Sequence, residues 1–436
     1  MRISFFKEIG EQLYTKSKSS RGEFFWFLLG QFSILVSNFI VVKMLSKAGQ
    51  AEFGFYTIII TVSAFISFMY YGPAQQSFLK FYYTAEAEGE KNIFTRLMSR
   101  FIVKSTVMFF LIGLVAALIL TRFSETAFLL LLSSVLFITA GKYTEFFNSA
   151  FNILRHRKLN SILQFTERLL LALLIIALVL YREMTLLNAL IIMALLSLIF
   201  ALIKNYIFVK KNIPGPAESG YKGLAAKHIK RIRLYALPFV IWGLSGWLQL
   251  NSEKWILAGV LSLKDVGIYG VMAVIVNMFV AVPANILNEF IGPVIFANYS
   301  DPSDAERLKK GKLYVMITFF LISAIAVASV LVSWSAGAWI ITFFSSAGYA
   351  SSYFLLPYFI TGAGFFYAGQ VLTTEGLALN RPEIYIAPKI VGGAAGLAAN
   401  YFFIRAWGLP GAAYAAFFSG VFYMAYIIFT NRKLHK

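Results

Sequence analysis

Two matching stretches determine the interpretation of this chain: EFGFYTIII at Glu52–Ile60 and DVGIYGVMAV at Asp265–Val274. Each contains a Gly-x-Tyr step before an apolar run, and the second copy follows the first by 213 residues, from Gly54 to Gly267. Because 213 is close to half of the 436 residues, the pair indicates two similar halves. We expect each step to open a helix at a membrane interface, with Gly freeing the backbone and Tyr anchoring among the headgroups.

Composition places the chain among membrane proteins. It is 59% hydrophobic with a mean hydropathy of +0.72, and only 14% of its residues are charged, whereas a soluble domain carries about 25% charge. The apolar runs are apolar on all faces and long enough to cross a core of about 30 Å as helices, which excludes a transmembrane β-barrel. The absence of cysteine excludes disulfides and cysteine metal sites.

Hydropathy predicts an all-α polytopic protein with about twelve transmembrane helices. The signal is weakest for the seventh span, which ends in the polar residues Asn251–Lys254, and for the eleventh, which contains glycines at 392–396. The predicted spans are 23–45, 54–72, 101–121, 126–148, 162–181, 184–208, 234–256, 266–296, 313–334, 353–374, 384–405 and 411–430.

These spans form two predicted six-helix bundles, at residues 23–208 and 234–430, joined by a basic cytoplasmic linker at 209–233. An amphipathic segment at 1–22 without a cleavable signal precedes them, and a short tail at 431–436 follows. This topology places 32 of the 39 Lys and Arg on the side of both termini, which the positive-inside rule assigns to the cytoplasm. The net charge of +19 is therefore topological, and nothing indicates a nucleic-acid partner.

The 213-residue offset also relates residues outside the repeated motif. Asn38 in the first span falls on Asn251 in the seventh, so both halves place an amide in the outer part of an odd-numbered helix. Two halves whose first helices run in the same direction make a parallel repeat, as in transporters that rock two bundles around a central cavity.

Three segments resemble one family of transporters. They are GQAEFGFYTIIITVSAFISFMYYGPAQQSFLKFY at 49–82, NSEKWILAGVLSLKDVGIYGVMAVIVNM at 251–278, and WGLPGAAYAAFFSGVFYMAYIIFTNRKLHK at 407–436. Their order and spacing resemble the polysaccharide transport family of the multidrug/oligosaccharidyl-lipid/polysaccharide exporter (MOP) superfamily, which includes Wzx-type O-antigen flippases. Members of this family often carry an acidic residue where this chain has Glu253.

The resemblance implies a MATE-like fold and a flippase that uses no cofactor and is not an enzyme. Such a flippase would move a polyprenyl-pyrophosphate-linked O-antigen or other polysaccharide repeat unit across the bacterial cytoplasmic membrane by alternating access, in lipopolysaccharide or related biosynthesis. Its partners would be the lipid-linked oligosaccharide, the bilayer and possible polymerase and chain-length proteins.

An anionic sugar-pyrophosphate requires a polar, cationic path through hydrocarbon, so charged and amide residues inside spans are the candidates. On the fourth span four polar residues recur at three- and four-residue steps and form one stripe: Lys142, Glu145, Asn148 and Asn152. For ion coupling, the predicted residues are Glu145, Glu253 and Glu289. For substrate binding, they are Gln31, Asn38, Lys142, Arg168, Asn251 and Lys254.

Structural roles are the alternatives for each candidate. The amides could form interhelical hydrogen bonds, Lys142 could extend to the interface, Arg168 could pair locally with Glu167, and residues 251–254 could lie in a loop.

Two other functions compete with the flippase. An ion-coupled exporter of small cationic drugs would favour an acidic, aromatic cavity, whereas these candidates mix Lys and Arg with amides. A membrane glycosyltransferase or polymerase would need catalytic acids or histidines on a substantial loop. The three histidines, at 156, 228 and 435, show no metal-ligand spacing, and the sequence contains no Gly-rich phosphate loop.

Overall fold

The computed structural model describes residues 21–121, 124–213, 221–299, 304–432 and 434. Within these ranges the backbone forms helices joined by short turns, and no strand is present. Most of the predicted amphipathic segment 1–22 lies outside the described residues, as do parts of the linker 209–233 and of the tail 431–436.

Twelve helices follow one another through the described residues, as the hydropathy predicts. Helices α2 and α8 each contain a short π-helical segment, and a 3₁₀ segment at Ala347–Leu355 leads into α10. The helices are α1 Arg21–Leu45, α2 Gln50–Ala87, α3 Lys91–Leu120, α4 Glu125–Ile153, α5 Arg157–Leu180, α6 Leu186–Asn212, α7 Tyr221–Val260, α8 Leu263–Asn298, α9 Ala305–Phe344, α10 Leu356–Ala378, α11 Ile386–Trp407 and α12 Leu409–Asn431.

Nine of these helices, among the residues described, are long and apolar enough to cross a membrane. The other three are α1, α7 and α11. Helix α1 contributes only the shorter apolar stretch Phe32–Leu45, α7 begins with a basic segment and contains Pro238, and α11 carries the glycine cluster. The chain is therefore an all-α polytopic membrane protein, and its two weakest hydropathy signals coincide with two of the three less apolar helices.

Packing divides the chain into two compact units. The first comprises the chain up to Leu45 together with Ile66–Val240, and the second comprises Ser46–Phe65 together with Ile241–Lys436. The first part of α2 and the last part of α7 thus belong to the second unit. An aromatic core around Phe78, Phe94 and Phe147 fills the first unit, and a smaller core around Tyr299 and Tyr423 fills part of the second.

The Gly-x-Tyr steps form a close helix crossing in the second unit, so our expectation that they open helices is wrong. Helices α2 and α8 begin four residues earlier, at Gln50 and Leu263. A Cβ added to Gly54 would overlap the Leu263 carbonyl and lie 3.0 Å from the Gly267 nitrogen, and a Cβ on Gly267 would overlap the Gln50 carbonyl. Glycine is required at both positions because the two backbones meet there.

A π-helical segment followed by proline interrupts both α2 and α8, at Ser67–Tyr71 and Asn277–Ala281, and the segment lies three residues nearer the helix start in α8. Gly72 N–H donates to Ser67 O, and Val282 N–H donates to Asn277 O, so each bond spans five residues. Pro73 and Pro283 follow directly. Since proline removes a helical donor, the wider turn adjusts the helix around the missing bond. This shared irregularity supports the parallel repeat independently of the glycine pair.

An ion cluster holds the start of α7 against the α2–α3 turn within the first unit. Lys227 Nζ lies 2.8 Å from both Glu88 Oε2 and Glu90 Oε1, and Arg231 Nη1 lies 2.9 Å from Glu88 Oε1. His228 Nε2 lies 2.8 Å from Glu90 Oε2. Hydrogen bonds from Lys227 and Arg231 lower the pKa of Glu88 to about 2, whereas burial lowers the pKa of His228. Exposed pairs are individually weak, so the cluster stabilises this contact as a network.

Candidate functional site

A fully buried lysine lies at the centre of a polar network in the first unit. Lys204 on α6 is 0% exposed. Its Nζ donates to Glu167 Oε2 on α5 at 3.0 Å and to Asn148 Oδ1 on α4 at 2.9 Å. A buried charge costs several kcal/mol unless it is paired, so this contact fixes three helices relative to one another. Lys204 is not among the substrate-binding residues predicted from the sequence. Its position within an apolar run of α6 was the available signal.

The predicted stripe on α4 begins with an ion pair. Lys142 Nζ lies 2.6 Å from Glu145 Oε2, and Ser67 Oγ on α2 donates to Glu145 Oε1 at 3.3 Å. The side chain of Lys142 is 16% exposed and that of Glu145 is 43% exposed. The lysine is therefore the more enclosed partner and does not extend freely to an interface.

The stripe continues through amides that connect α4 to α5. Asn160 Nδ2 on α5 donates to the backbone carbonyl oxygen of Asn148 and to the side-chain Oδ1 of Asn152, both at 3.2 Å. Since Asn148 also accepts from Lys204, the amides and the buried lysine form one network. These contacts are interhelical hydrogen bonds, the alternative role that the sequence suggested for the amides of the first span, Gln31 and Asn38.

Arg168 supplies a cation that no carboxylate in the described residues neutralises. It is half-buried on α5. A local pair with Glu167 was the alternative expected for it, but the Glu167 carboxylate bonds Lys204 instead. Within the described residues Arg168 forms no ion pair of its own.

Of the two amides predicted on α1, the structure describes the side chain of Asn38. Asn38 is exposed, and the side chain of Gln31 lies outside what the structure describes.

Helix α1 packs along α5, where a Cβ on Gly30 would lie 3.5 Å from Ser161 Cβ. The small residues at 30 and 161 permit this approach.

A second polar cluster lies in the second unit. Helix α7 continues to Val260, so residues 251–254 are helical rather than a loop. Lys254 Nζ lies 2.7 Å from Glu253 Oε1 and 3.4 Å from Asn251 Oδ1. Tyr269 Oη donates to Glu253 Oε1 at 3.0 Å. This tyrosine is buried, so it anchors Glu253 and does not lie among headgroups.

Two tryptophans bind α7 to α2 beside this cluster. Trp247 Nε1 donates to the Thr61 carbonyl at 2.8 Å, and Trp255 Nε1 donates to Thr61 Oγ1 at 2.9 Å. Sequence analysis missed these residues, since the tryptophans and Thr61 are about two hundred residues apart in the chain and no local pattern connects them.

The three acids proposed for ion coupling differ in burial. Glu253 is 6% exposed, Glu145 is half-buried and Glu289 is exposed. A further buried carboxylate, missed in the sequence, is Glu375 near the end of α10, which accepts a 3.1 Å hydrogen bond from Tyr299 Oη. Of the predicted three, Glu253 alone is buried.

The polar groups described in the first unit include more cations than carboxylates. Its central charges are three cations, Lys142, Arg168 and Lys204, and two carboxylates, Glu145 and Glu167. In the part of the chain that the structure describes, no group of three or more His, Asp and Glu side chains could hold a metal ion.

Comparisons with known sequences find no match. No protein-family model matches the chain, and no curated protein matches it.

Solved structures, in contrast, match almost the whole chain. An inward-facing multidrug resistance MATE family transporter of the MOP superfamily superposes with a TM-score of 0.67 at 14% identity, covering 93% of this chain and 94% of its own. The lipid II flippase MurJ gives 0.65 at 14% identity, with coverage of 95% and 87%. The Vibrio cholerae MATE transporter VcmN gives 0.65 at 12% identity, with coverage of 98% and 97%. The chain therefore has a MATE-like fold.

Proposed function

We propose that this protein is a flippase that translocates a polyprenyl-pyrophosphate-linked oligosaccharide across the bacterial cytoplasmic membrane by alternating access. Both chain termini would lie in the cytoplasm, as the distribution of Lys and Arg predicts. The fold supports a transporter, and its solved neighbours include a lipid II flippase as well as multidrug MATE proteins. The substrate class must therefore be argued from the side chains.

The observation that carries this proposal is the charge of Arg168, which no carboxylate among the described residues neutralises. A pyrophosphate passing through hydrocarbon is heavily penalised without a fixed positive partner. Lys204 and Glu167 satisfy one another, as do Lys142 and Glu145, which leaves the half-buried Arg168 guanidinium as the cation available for a phosphate. Guanidinium suits this role because its planar fork binds phosphate oxygens in pairs.

The remaining predicted residues receive supporting roles. Lys142 would contact substrate when its bond to Glu145 opens. Asn38, Asn251 and Gln31 would offer hydrogen bonds to sugar hydroxyls, and Lys254 would act as a second cation in the other unit.

For ion coupling we favour Glu253 over Glu145 and Glu289, because Glu253 is the buried acid of the three. Protonation of Glu253 would release Lys254, which it holds at 2.7 Å.

The charge balance argues against export of cationic drugs. A cationic substrate requires an excess of carboxylate along its path, whereas the first unit has an excess of cations. A polymerase and chain-length proteins that act on the flipped product are the partners that this function would require.

Single replacements in reconstituted vesicles test the proposal. Arg168→Gln should reduce translocation of a lipid-linked oligosaccharide by about tenfold or more, the value of one charge-assisted hydrogen bond. Lys142→Gln and Lys254→Gln should have smaller effects. Lys211→Gln, which removes an exposed cation from the end of α6, is the matched control. Unchanged transport in Arg168→Gln at normal expression would refute the role of this cation.

A further inference from the structure

A polar cavity of about 300 Å³ lies within the first unit, between α2, α4 and the start of α5. It touches the network around Lys204 only through Asn152, which accepts from Asn160, and contains none of the substrate-binding residues predicted from the sequence. The polar residues that line it are Gln75, Gln76, Tyr83, Ser149, Asn152 and Arg157.

The cavity lies where helices end, close to one membrane surface. Tyr83 precedes the end of α2 by four residues, Ile153 is the last residue of α4, and Arg157 is the first residue of α5. Two exposed lysines, Lys80 and Lys158, lie near it in the chain. A lipid headgroup can reach this depth without leaving the interface.

The lining favours an anion. None of the residues around the cavity is acidic, and Arg157 contributes a full positive charge. The first turn of α5 adds the positive end of a helix, and its N-cap residue His156 provides no side-chain cap.

A buried donor in the cavity wall also requires a ligand. Gln75 Nε2 is buried and has no hydrogen-bond partner among the described residues. An unsatisfied buried donor costs about 1–3 kcal/mol, so an acceptor in the cavity would be stabilised by it.

We propose that this cavity binds the phosphate or pyrophosphate group of a membrane lipid and captures it at the bilayer surface. The inference rests on the proposed flippase function, because the lipid-linked oligosaccharide carries such a group. Phosphate oxygens would accept from Arg157 and from the Gln75 amide, with Ser149 and Asn152 completing the shell.

The size of the cavity fits a headgroup rather than a whole repeat unit. Its volume of about 300 Å³ equals that of about ten water molecules and lies at the lower limit of small-molecule sites, about 300–1,000 Å³. The sugar units would extend outside the cavity and the polyprenyl chain would stay in lipid.

Equilibrium binding to the full-length protein in phosphatidylcholine nanodiscs tests this site. The probes are a fluorescent polyprenyl-pyrophosphate-linked oligosaccharide, with inorganic pyrophosphate or phosphatidylglycerol as competitors. Arg157→Gln and Gln75→Glu should each weaken binding of the probe by about tenfold or more. Lys158→Gln removes the same charge one residue further along α5, outside the lining, and should change affinity by less than about twofold.

Competition identifies the source of the phosphate. Displacement by inorganic pyrophosphate with little effect of phosphatidylglycerol assigns the site to the lipid-linked substrate. Arg157-dependent displacement by phosphatidylglycerol assigns it to a phospholipid headgroup. Equal losses in Arg157→Gln and Lys158→Gln, or no loss in either pocket variant, would overturn the site.

Vesicle translocation separates this inference from the proposed function. If the wild-type protein translocates no oligosaccharide but Arg157 still controls phosphate binding, the flippase function fails and the site stands. If translocation is normal while binding ignores Arg157 and Gln75, the site fails and the function stands.

Discussion

Breaking the Lys204–Glu167 pair should destabilise the first unit more than any surface change. Lys204→Met removes the charge and keeps the length of the side chain, and Glu167→Gln removes the opposing charge. Either replacement alone leaves one buried ion without its partner. The double variant leaves neither charge behind.

The geometry determines the size of the effect. At 3.0 Å and an effective dielectric constant of about 20, the attraction is about 5–6 kcal/mol. Desolvation offsets much of this, so the pair adds little net stability, but removing one partner costs about 3–5 kcal/mol. Each single variant should therefore lose about 3–5 kcal/mol. The double variant should recover much of that loss, with a coupling energy of about 3 kcal/mol.

Thermal unfolding of the purified protein in one fixed detergent measures the cycle. Since 1 kcal/mol corresponds to about 2–4 °C for a unit of this size, each single variant should lower Tm by roughly 6–20 °C. Lys211→Met, an exposed cation near the end of the same helix, should leave Tm within about 2 °C. Additive losses in the double variant, or single variants that unfold like the wild type, would refute a buried, mutually dependent pair.

Three further predictions concern the helix crossing, the second polar cluster and the α7 contact. Gly267→Ala should lower the free energy of unfolding, measured with denaturant, by about 1–3 kcal/mol because the added methyl overpacks the crossing. Gly259→Ala is the control: its Cβ would meet nothing within 4 Å, so it should raise the free energy of unfolding by up to about 1 kcal/mol. Equal effects of the two variants would exclude a tight crossing. Tyr269→Phe should cost about 1–3 kcal/mol by removing the bond to buried Glu253, and a neutral result would show that this acid does not depend on the tyrosine. The pKa of Glu88 is lowered from 4.5 to about 2, so its contribution is complete above pH 4.5 and is lost as the pH falls through about 2. In the wild type, the distribution of spin-label distances between α3 and the start of α7 should broaden as the pH falls through that range. In Glu88→Gln it should already be broad at neutral pH.

The spans and the repeat could be predicted because they depend on local composition. Twelve predicted apolar segments correspond to twelve helices among the residues that the structure describes, since a run that crosses hydrocarbon must satisfy its own backbone as a helix. The 213-residue offset located Gly54 and Gly267 correctly as equivalent positions. It did not show that these two glycines pack against each other, because a contact between equivalent positions leaves no periodic signal in the sequence.

The polar networks could be predicted only in part. The stripe on α4 follows from helical spacing, so Lys142 and Glu145 were found together. The bond from Lys204 to Glu167 joins α6 to α5, and a single lysine near the end of an apolar run is indistinguishable in sequence from one that extends to the interface. Glu375 was missed for a related reason, since its partner Tyr299 is 76 residues away.

The measurement that tests the flippase function most directly compares two substrates in the same vesicles. Purified protein is reconstituted with either a fluorescent polyprenyl-pyrophosphate-linked oligosaccharide or a cationic dye, and the appearance of each on the opposite side is followed over time. We predict protein-dependent translocation of the lipid-linked oligosaccharide that falls in Arg168→Gln and persists in Lys211→Gln, with no protein-dependent movement of the dye. Transport of the dye, with the oligosaccharide crossing no faster than in protein-free vesicles, would contradict the proposed function.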